Sequence, residues 1–189
     1  MKKLVSLAFV SVVLFFGGCS QKQSVLYIQN QNICTSPKAT LYLSDLSVQN
    51  HAKTFNITKD EIKLSLVKSL RETNCYNVVL EERDLKFLDD SFEFILLANA
   101  EIFQEKNIVS ENLIKKEQSE KLLFSIALKA INQTKSIQAN ANSQIISSRE
   151  KYFGVERGVD VEGDKQNLLR TANKKVSIVL NDALGKLEK

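Results

Sequence analysis

The alternation of apolar and polar residues predicts most of the secondary structure of this chain. In five runs between residues 39 and 148, apolar side chains recur mainly at every second position, which is typical of β-strands. The predicted strands are 39–48, 76–82, 92–103, 121–131 and 136–148. The middle of the third run is apolar at consecutive positions, so we expect both of its faces to be covered. The fifth run alternates with Asn and Gln, so one of its faces should meet solvent.

Two segments have the period of an amphipathic helix. The first begins after Thr58, because Thr58 and Glu61 have the spacing of a capping box, and Ile57 and Ile62 have that of a hydrophobic staple. The second follows Asp164, which we expect to cap it. Together the runs predict an α+β fold. It has a mixed four- to five-stranded sheet in the order β-α-β-β-β-β-α, and two helices pack on one face of this sheet.

Two long polar segments, 104–120 and 149–165, are predicted to be loops. If the last three strands form a meander, both loops emerge at one end of the sheet and the tight turn at 132–135 lies at the other. Loops held by a scaffold often carry function, so this rim is the candidate partner surface. The alternative is that both are only solvated connections. The candidate contact residues are Lys151, Tyr152, Phe153 and Arg157.

The beginning of the chain has the pattern of a secretory signal. Lys2 and Lys3 precede an apolar run at 4–16, and two glycines and Cys19 follow it. The run is too short for a membrane span with room to tilt. The segment resembles a bacterial lipoprotein processing site, which implies cleavage before Cys19, diacylation of its thiol and acylation of the new amine. An ordinary signal peptide with an incidental cysteine is the alternative.

This resemblance divides the chain into a signal peptide at 1–18, a lipidated tether at 19–37 and a single periplasmic α+β domain at 38–189. Each buried methylene contributes about 0.8 kcal/mol, so two or more acyl chains hold a protein firmly at a bilayer. Ser20 follows the cysteine, where Asp favours inner-membrane retention in enteric bacteria. We therefore expect the periplasmic side of the outer membrane, and the inner membrane and the cell surface stay open.

Charge and cysteine content narrow the class of protein. The formal net charge of the chain is +4, and removing Lys2 and Lys3 leaves 4 − 2 = +2, so nothing indicates a nucleic acid partner.

An oxidising envelope favours a disulfide between Cys34 and Cys75. The closed loop would span 75 − 34 = 41 residues, which corresponds to about 4 kcal/mol of stabilisation. Two buried thiols that never meet are the alternative.

Candidate catalytic and metal-binding residues are few. His51 is the only histidine and lies in a polar segment without an orienting partner. One histidine with two distant cysteines does not make a zinc site. The acidic pairs at 81–82 and 89–90 are interpreted as solvated turns, and 154–158 lacks the Lys-Ser/Thr of a phosphate loop. We expect no enzymatic activity, no cofactor and no metal.

A family resemblance extends over residues 39–189. A strand, a helix and a strand that ends in Glu82-Arg83-Asp84-Leu85, followed by an apolar strand with small residues at 98–100, resemble the envelope lipoproteins related to CsgG, LpoB and the amino-terminal domain of TolB. The resemblance implies a non-enzymatic docking or assembly module in the periplasm.

The expected function is therefore that of a membrane-anchored periplasmic lipoprotein. It would dock another envelope component, such as a peptidoglycan synthase or a secretion or flagellar assembly. A structural or surface-exposed adhesive lipoprotein is the main alternative, and an oligomeric outer-membrane secretion subunit is a lesser one. The expected partners are the lipid bilayer, through acylated Cys19, and an envelope protein or further copies of the chain.

Overall fold

A mixed sheet and two helices account for most of the residues that the computed structural model describes, which are 33–53, 55–88, 92–112, 115–152, 155–156 and 161–186. The strands are β1 (Ala39–Asn50), β2 (Tyr76–Val79), β3 (Glu93–Glu111), β4 (Lys115–Ile131), β5 (Ser136–Tyr152) and β6 (Val155–Glu156). The helices are α1 (Lys59–Glu72) and α2 (Val161–Gly185), and Leu85–Phe87 forms a 3-10 turn. The predicted α+β class is confirmed.

The strands form one sheet in the order β2-β1-β3-β4-β5-β6. β1 lies parallel to both of its neighbours, and α1 provides the crossover between β1 and β2. From β3 onward each strand is antiparallel to the next. The predicted tight turn joins β4 to β5, where the side chain of Asn132 accepts hydrogen bonds from the backbone N–H groups of Thr134 and Lys135.

Both helices pack on the same face of the sheet, and the main core lies between them and the strands. Its largest fully buried side chains include Phe94, Phe124, Leu41, Ile62, Leu122 and Leu168. Burying a side chain of this size contributes about 1.5–3 kcal/mol, so this layer holds the helices to the sheet. Neither helix in the described part of the chain is long and apolar enough to cross a membrane.

A small second core lies on the opposite face of the sheet. Tyr42, Leu88 and Ile95 are buried there, and the segment 81–88 covers them. Leu97, two residues along β3, is 36% exposed. The prediction that the middle of the third strand is covered on both faces therefore holds at Ile95 and fails at Leu97. Beyond this patch no described helix or strand covers this face, and we call it the open face.

The predicted loop at 104–120 is wrong over most of its length. β3 continues to Glu111 and β4 already begins at Lys115. The strands persist because their charges are paired across the ladder: Lys121 Nζ lies 3.8 Å from Glu105 Oε2, and Lys106 Nζ lies 3.6 Å from Glu120 Oε1. Such cross-strand pairs stabilise a strand whose polarity alone suggests a loop.

The predicted loop at 149–165 is also shorter than expected. β5 continues to Tyr152, β6 follows it, and α2 begins at Val161. Asp164 consequently lies in the first turn of α2 rather than at its cap. An acidic residue there still complements the positive end of the helix dipole.

Candidate functional site at the projecting arm

Three strands continue past the end of their neighbour and form a projecting arm. β1 ends at Asn50, which lies opposite Ile102 of β3. Beyond this point β3 pairs only with β4, and β4 pairs with β5, within the described residues. We define the arm as residues 103–111, 115–123 and 144–152. At about 3.3 Å per residue it extends roughly 30 Å beyond β1.

The arm points away from the end at which the amino-terminal segment joins the domain. Cys34 and Cys75 form a disulfide with a Cα–Cα distance of 5.0 Å. The backbone N–H of Lys38 donates to the carbonyl of Cys75 at 2.8 Å, and β3 begins at this same end of the sheet. Because β3 has 19 residues, its far end lies up to roughly 60 Å from the disulfide.

The surface of the arm combines exposed apolar side chains with charges. Ile108, Val109 and Ile146 are 58%, 60% and 63% exposed, and every residue of β3 from Glu105 to Glu111 is at least partly exposed. Phe103, at the base of the arm, stacks on His51, and the two ring centroids lie 4.9 Å apart. Large apolar side chains with a charged surround are typical of protein contact surfaces.

One buried carboxylate fixes the base of the arm. Glu120 is only 2% exposed and faces the helix side of β4. It accepts a hydrogen bond from Gln104 and lies 3.6 Å from the ammonium of Lys106. A buried charge is tolerated only when it is paired in this way, so these contacts hold β3 and β4 in register at the base of the arm.

The predicted contact residues belong to this arm only in part. Lys151 lies on β5 opposite Lys116, and Tyr152 is the last residue of that strand. Both are therefore strand residues and not loop residues. Phe153 and Arg157 lie outside the described residues, as does the predicted lipidation site, Cys19.

The apolar residues of the arm were not among the predicted contact residues. Their signal is present in the sequence, since Ile108 and Val109 interrupt the polar run at 104–112, and Ile146 breaks the Asn/Gln alternation of β5. The polarity of 104–120 predicts a loop of the candidate rim, but the candidate contact residues all come from the other predicted loop, 149–165. Pairing among β3, β4 and β5 places Ile108 on the helix side of the arm and Ile146 on the open face.

The residues weighed for catalysis do not converge on one site. His51 lies at the end of β1, where its N–H donates to the carbonyl of Ile102 at 2.9 Å. Glu81 and Glu82 are exposed at the other end of the sheet, and 89–90 lie outside the described residues. Within the described ranges, no group of three or more His, Cys, Asp and Glu side chains could hold a metal ion.

The segment that carries the family resemblance caps the small second core. Asp84 accepts a hydrogen bond from the backbone N–H of Lys86 and begins the 3-10 turn. The guanidinium of Arg83 lies 5.1 Å from the centre of the Tyr42 ring, and the Tyr42 hydroxyl donates to Glu93 at 3.0 Å. The Glu-Arg-x-Leu segment therefore has a packing role in this chain.

These features define an α+β domain with one helix-covered sheet face, one largely open face and a projecting arm. No protein-family model and no curated protein sequence matches the chain. The fold aligns with the crystal structure of a neuraminyllactose-binding hemagglutinin homolog from Helicobacter pylori, at a TM-score of 0.51 and 13% identity over 86% of this chain and 93% of that chain. At this identity the likeness shows a shared fold alone.

Two more distant alignments are with proteins described as lipoproteins. The minor lipoprotein from Acinetobacter baumannii aligns at a TM-score of 0.34 and 11% identity, over 75% of this chain and 95% of that chain. The rare lipoprotein B from Shewanella oneidensis aligns at 0.31 and 11%, over 77% and 96%. Similarities at this level are too remote to support a shared function.

Proposed function

We propose that this protein is a membrane-anchored envelope lipoprotein that acts as a non-enzymatic docking or assembly module. Acylated Cys19 would hold it on the periplasmic side of the outer membrane, and the projecting arm would bind another envelope component. The observation that carries the proposal is the arm itself, an ordered and exposed surface at the end of the domain remote from the amino-terminal segment.

The dimensions of the chain suit a docking role. Cys34 follows Cys19 by 34 − 19 = 15 residues, and fifteen residues span at most about 50 Å. The domain adds up to roughly 60 Å between its disulfide and the tip of β3. An anchored chain could therefore present the arm well away from the bilayer, where a peptidoglycan synthase or a secretion or flagellar assembly would meet it.

The chemistry of the arm favours a protein as its partner. Ile108 offers apolar contact area on the helix side of the arm, and Ile146 offers it on the open face, where the paired charges of Glu105 and Lys121 border it. Apolar anchors inside a polar rim provide most of the binding energy of protein interfaces. Because these side chains are exposed, substituting them should leave the core intact.

Site-specific photo-crosslinking in cells tests the proposal. A photoreactive residue at Ile108 or Ile146 should capture one envelope protein, and the same residue at Leu64, which is 70% exposed on α1, should not. Adding Val109→Asp should abolish the adduct from Ile108, because a charge replaces an apolar contact beside it. Cys19→Ala should move the chain out of the membrane fraction and reduce the adduct.

The same experiment contains the outcomes that would contradict the docking role. Identical adducts from Ile108 and Leu64 would show that the arm has no special partner. A Cys19→Ala chain that still fractionates with membranes would contradict the lipid anchor.

An adhesive role is the second candidate, and the structure offers one observation in its favour. The open face carries a row of amides on β5, at Gln138, Asn140, Asn142 and Gln144, with the stacked His51 and Phe103 rings at its edge. Amides and ring faces are suited to the hydroxyl groups and apolar faces of sugars. The aligned Helicobacter pylori structure is named for a neuraminyllactose-binding hemagglutinin. Cells that bind neuraminyllactose, with no arm-specific adduct, would favour this candidate.

A further inference from the structure

The outer edge of β5 is a long strand edge without a partner strand in the described part of the chain. One side of β5 pairs with β4 over its whole length. On the other side, β6 covers only Lys151 and Tyr152. Residues 136–148 therefore offer backbone donors and acceptors to an incoming strand.

The hydrogen-bond pattern shows which amides are available. In the β4–β5 turn, the N–H of Asn132 donates to the carbonyl of Lys135 at 3.0 Å, so these two residues are a bonded pair. Bonded pairs alternate along an antiparallel ladder, which makes Ile126 and Ala141 a bonded pair as well. The N–H and C=O groups of Asn140 and Asn142 consequently point away from β4.

This edge lacks the usual protection against strand pairing. Natural edge strands are short, charged, bulged or interrupted by proline. β5 has 17 residues, and 136–148 contain neither a charged residue nor a proline. The ammonium of Lys175 reaches the edge, where it donates to the carbonyl of Asn142 at 3.4 Å. It stands on a flexible four-carbon stem that can turn to solvent.

The sequence of the edge is nearly the same in both directions. Residues 137–145 read Ile-Gln-Ala-Asn-Ala-Asn-Ser-Gln-Ile, and only Ala139 and Ser143 break the symmetry. In an antiparallel pair of two such strands centred on Ala141, each Gln faces Gln, each Asn faces Asn and each Ile faces Ile. The amides share the open face, where all four are exposed, and the isoleucines share the helix side.

We infer that β5 pairs with β5 of a second copy of this chain, antiparallel and around a two-fold axis at Ala141, so that the two sheets become one. The register is allowed, because Asn140 would lie opposite Asn142 of the second copy and both direct their backbone groups outward. About eight backbone hydrogen bonds would form between Gln138 and Gln144 of the two copies. The inference uses the outer edge of β5 centred on Ala141, at the base of the arm, and does not depend on the docking role.

A pair of charge variants tests this register. In the full-length chain, Asn140→Lys with Asn142→Lys places like charges opposite each other twice across the axis. Asn140→Lys with Asn142→Glu places opposite charges at the same positions. We expect the wild type and the Lys/Glu variant to be dimers in detergent solution by light scattering, and the Lys/Lys variant to dissociate roughly tenfold more readily or more.

Disulfide trapping provides a second readout. Ala141 would face its own copy in a non-bonded pair with Cα atoms about 4.5 Å apart, which a disulfide can bridge. Ala141→Cys should therefore form a covalent dimer on mild oxidation. Ser148→Cys should not, because the two copies of Ser148 would lie about 45 Å apart.

Three results would overturn the inference. The first is a Lys/Glu variant as monomeric as the Lys/Lys variant. The second is a dimer cross-linked through Ser148→Cys and not through Ala141→Cys. The third is a monomeric wild type whose oligomeric state neither variant changes.

Discussion

At the scale of single residues, Glu61 connects local and distant structure. Its carboxylate accepts a hydrogen bond from the backbone N–H of Thr58 at 2.7 Å, and the Thr58 hydroxyl accepts one from the N–H of Glu61. This confirms the predicted capping box. The same carboxylate forms an ion pair with Lys165 of α2. One side chain thus begins α1 and holds the two helices together.

The capping box was readable from the sequence because its two partners are three residues apart. The contact with Lys165 was not, since 165 − 61 = 104 residues separate the pair and only the packing of α2 on α1 brings them together. Local side-chain chemistry is encoded in short spacings, and long-range pairs depend on tertiary structure.

The pKa of Glu61 predicts a dependence of stability on pH. Burial alone would raise this pKa, but hydrogen bonds from Lys165 and Thr58 outweigh burial and lower it below its ordinary value of 4.5. Because the folded pKa is lower than the unfolded one, the ionised carboxylate stabilises the fold above about pH 4.5. This contribution is lost as the pH falls through the folded pKa.

Glu61→Gln should therefore reduce the free energy of unfolding by about 1 kcal/mol at pH 7, the usual effect of losing a capping interaction. The difference from the wild type should shrink towards pH 3. Urea unfolding followed by circular dichroism measures both values, and Glu82→Gln, at an exposed position, is the control. A difference that stays constant between pH 7 and pH 3 would contradict the assigned ionisation.

At the scale of elements, the positions of the strands were predictable and their ends were not. The apolar alternation located β3, β4 and β5 correctly through the helix-covered part of the sheet. The apolar alternation ends at 103 and 121, where the sequence becomes polar, so the predicted strands end there although β3 and β4 continue. The strands continue because neighbours such as Glu105 and Lys121 pair across the ladder, and no single segment shows this.

The arm should be the less stable part of β3. Residues 94–102 of this strand have a partner strand on both sides and lie partly in the core, whereas 103–111 have β4 on one side only among the described residues. Local opening is easier where few apolar contacts are lost.

Backbone amides at 103–111 should therefore exchange with deuterium roughly tenfold faster, or more, than those at 94–102. Mass spectrometry of overlapping peptides measures both segments of the same strand, so that each experiment contains its own control. Equal protection along the whole of β3 would show that a partner, such as another copy, covers the arm in solution.

At the scale of the whole molecule, the disulfide joins the beginning of the domain to the start of the edge strand β2. Cys34 lies before β1 and Cys75 lies between α1 and β2, with a sequence separation of 41. The side chain of Asn74 also donates to the carbonyl of Cys34 at 2.9 Å. Cysteine content and compartment favoured this bond in the sequence, but only the fold shows that it closes the end opposite the arm.

Replacing both cysteines, Cys34→Ser with Cys75→Ser, should lower the free energy of unfolding by about 4 kcal/mol, because the unfolded chain gains the entropy of an open loop. Urea unfolding of the double variant and of the oxidised wild type gives the difference. The reduced wild type is the control and should resemble the variant. Equal stability of oxidised and reduced chains would contradict a stabilising role of this bond.

The parallel pairing of β1 and β3 also determines how the domain bears mechanical load. A pull on the tip of β3 and a restraint at the start of β1 act at opposite ends of two neighbouring strands, which are paired from Thr40 to Asn50. The tension then acts along the strands and loads their hydrogen bonds together in shear, instead of opening them one after another. A domain of this geometry resists a force applied between its amino-terminal end and the tip of β3, because many hydrogen bonds must break at the same time.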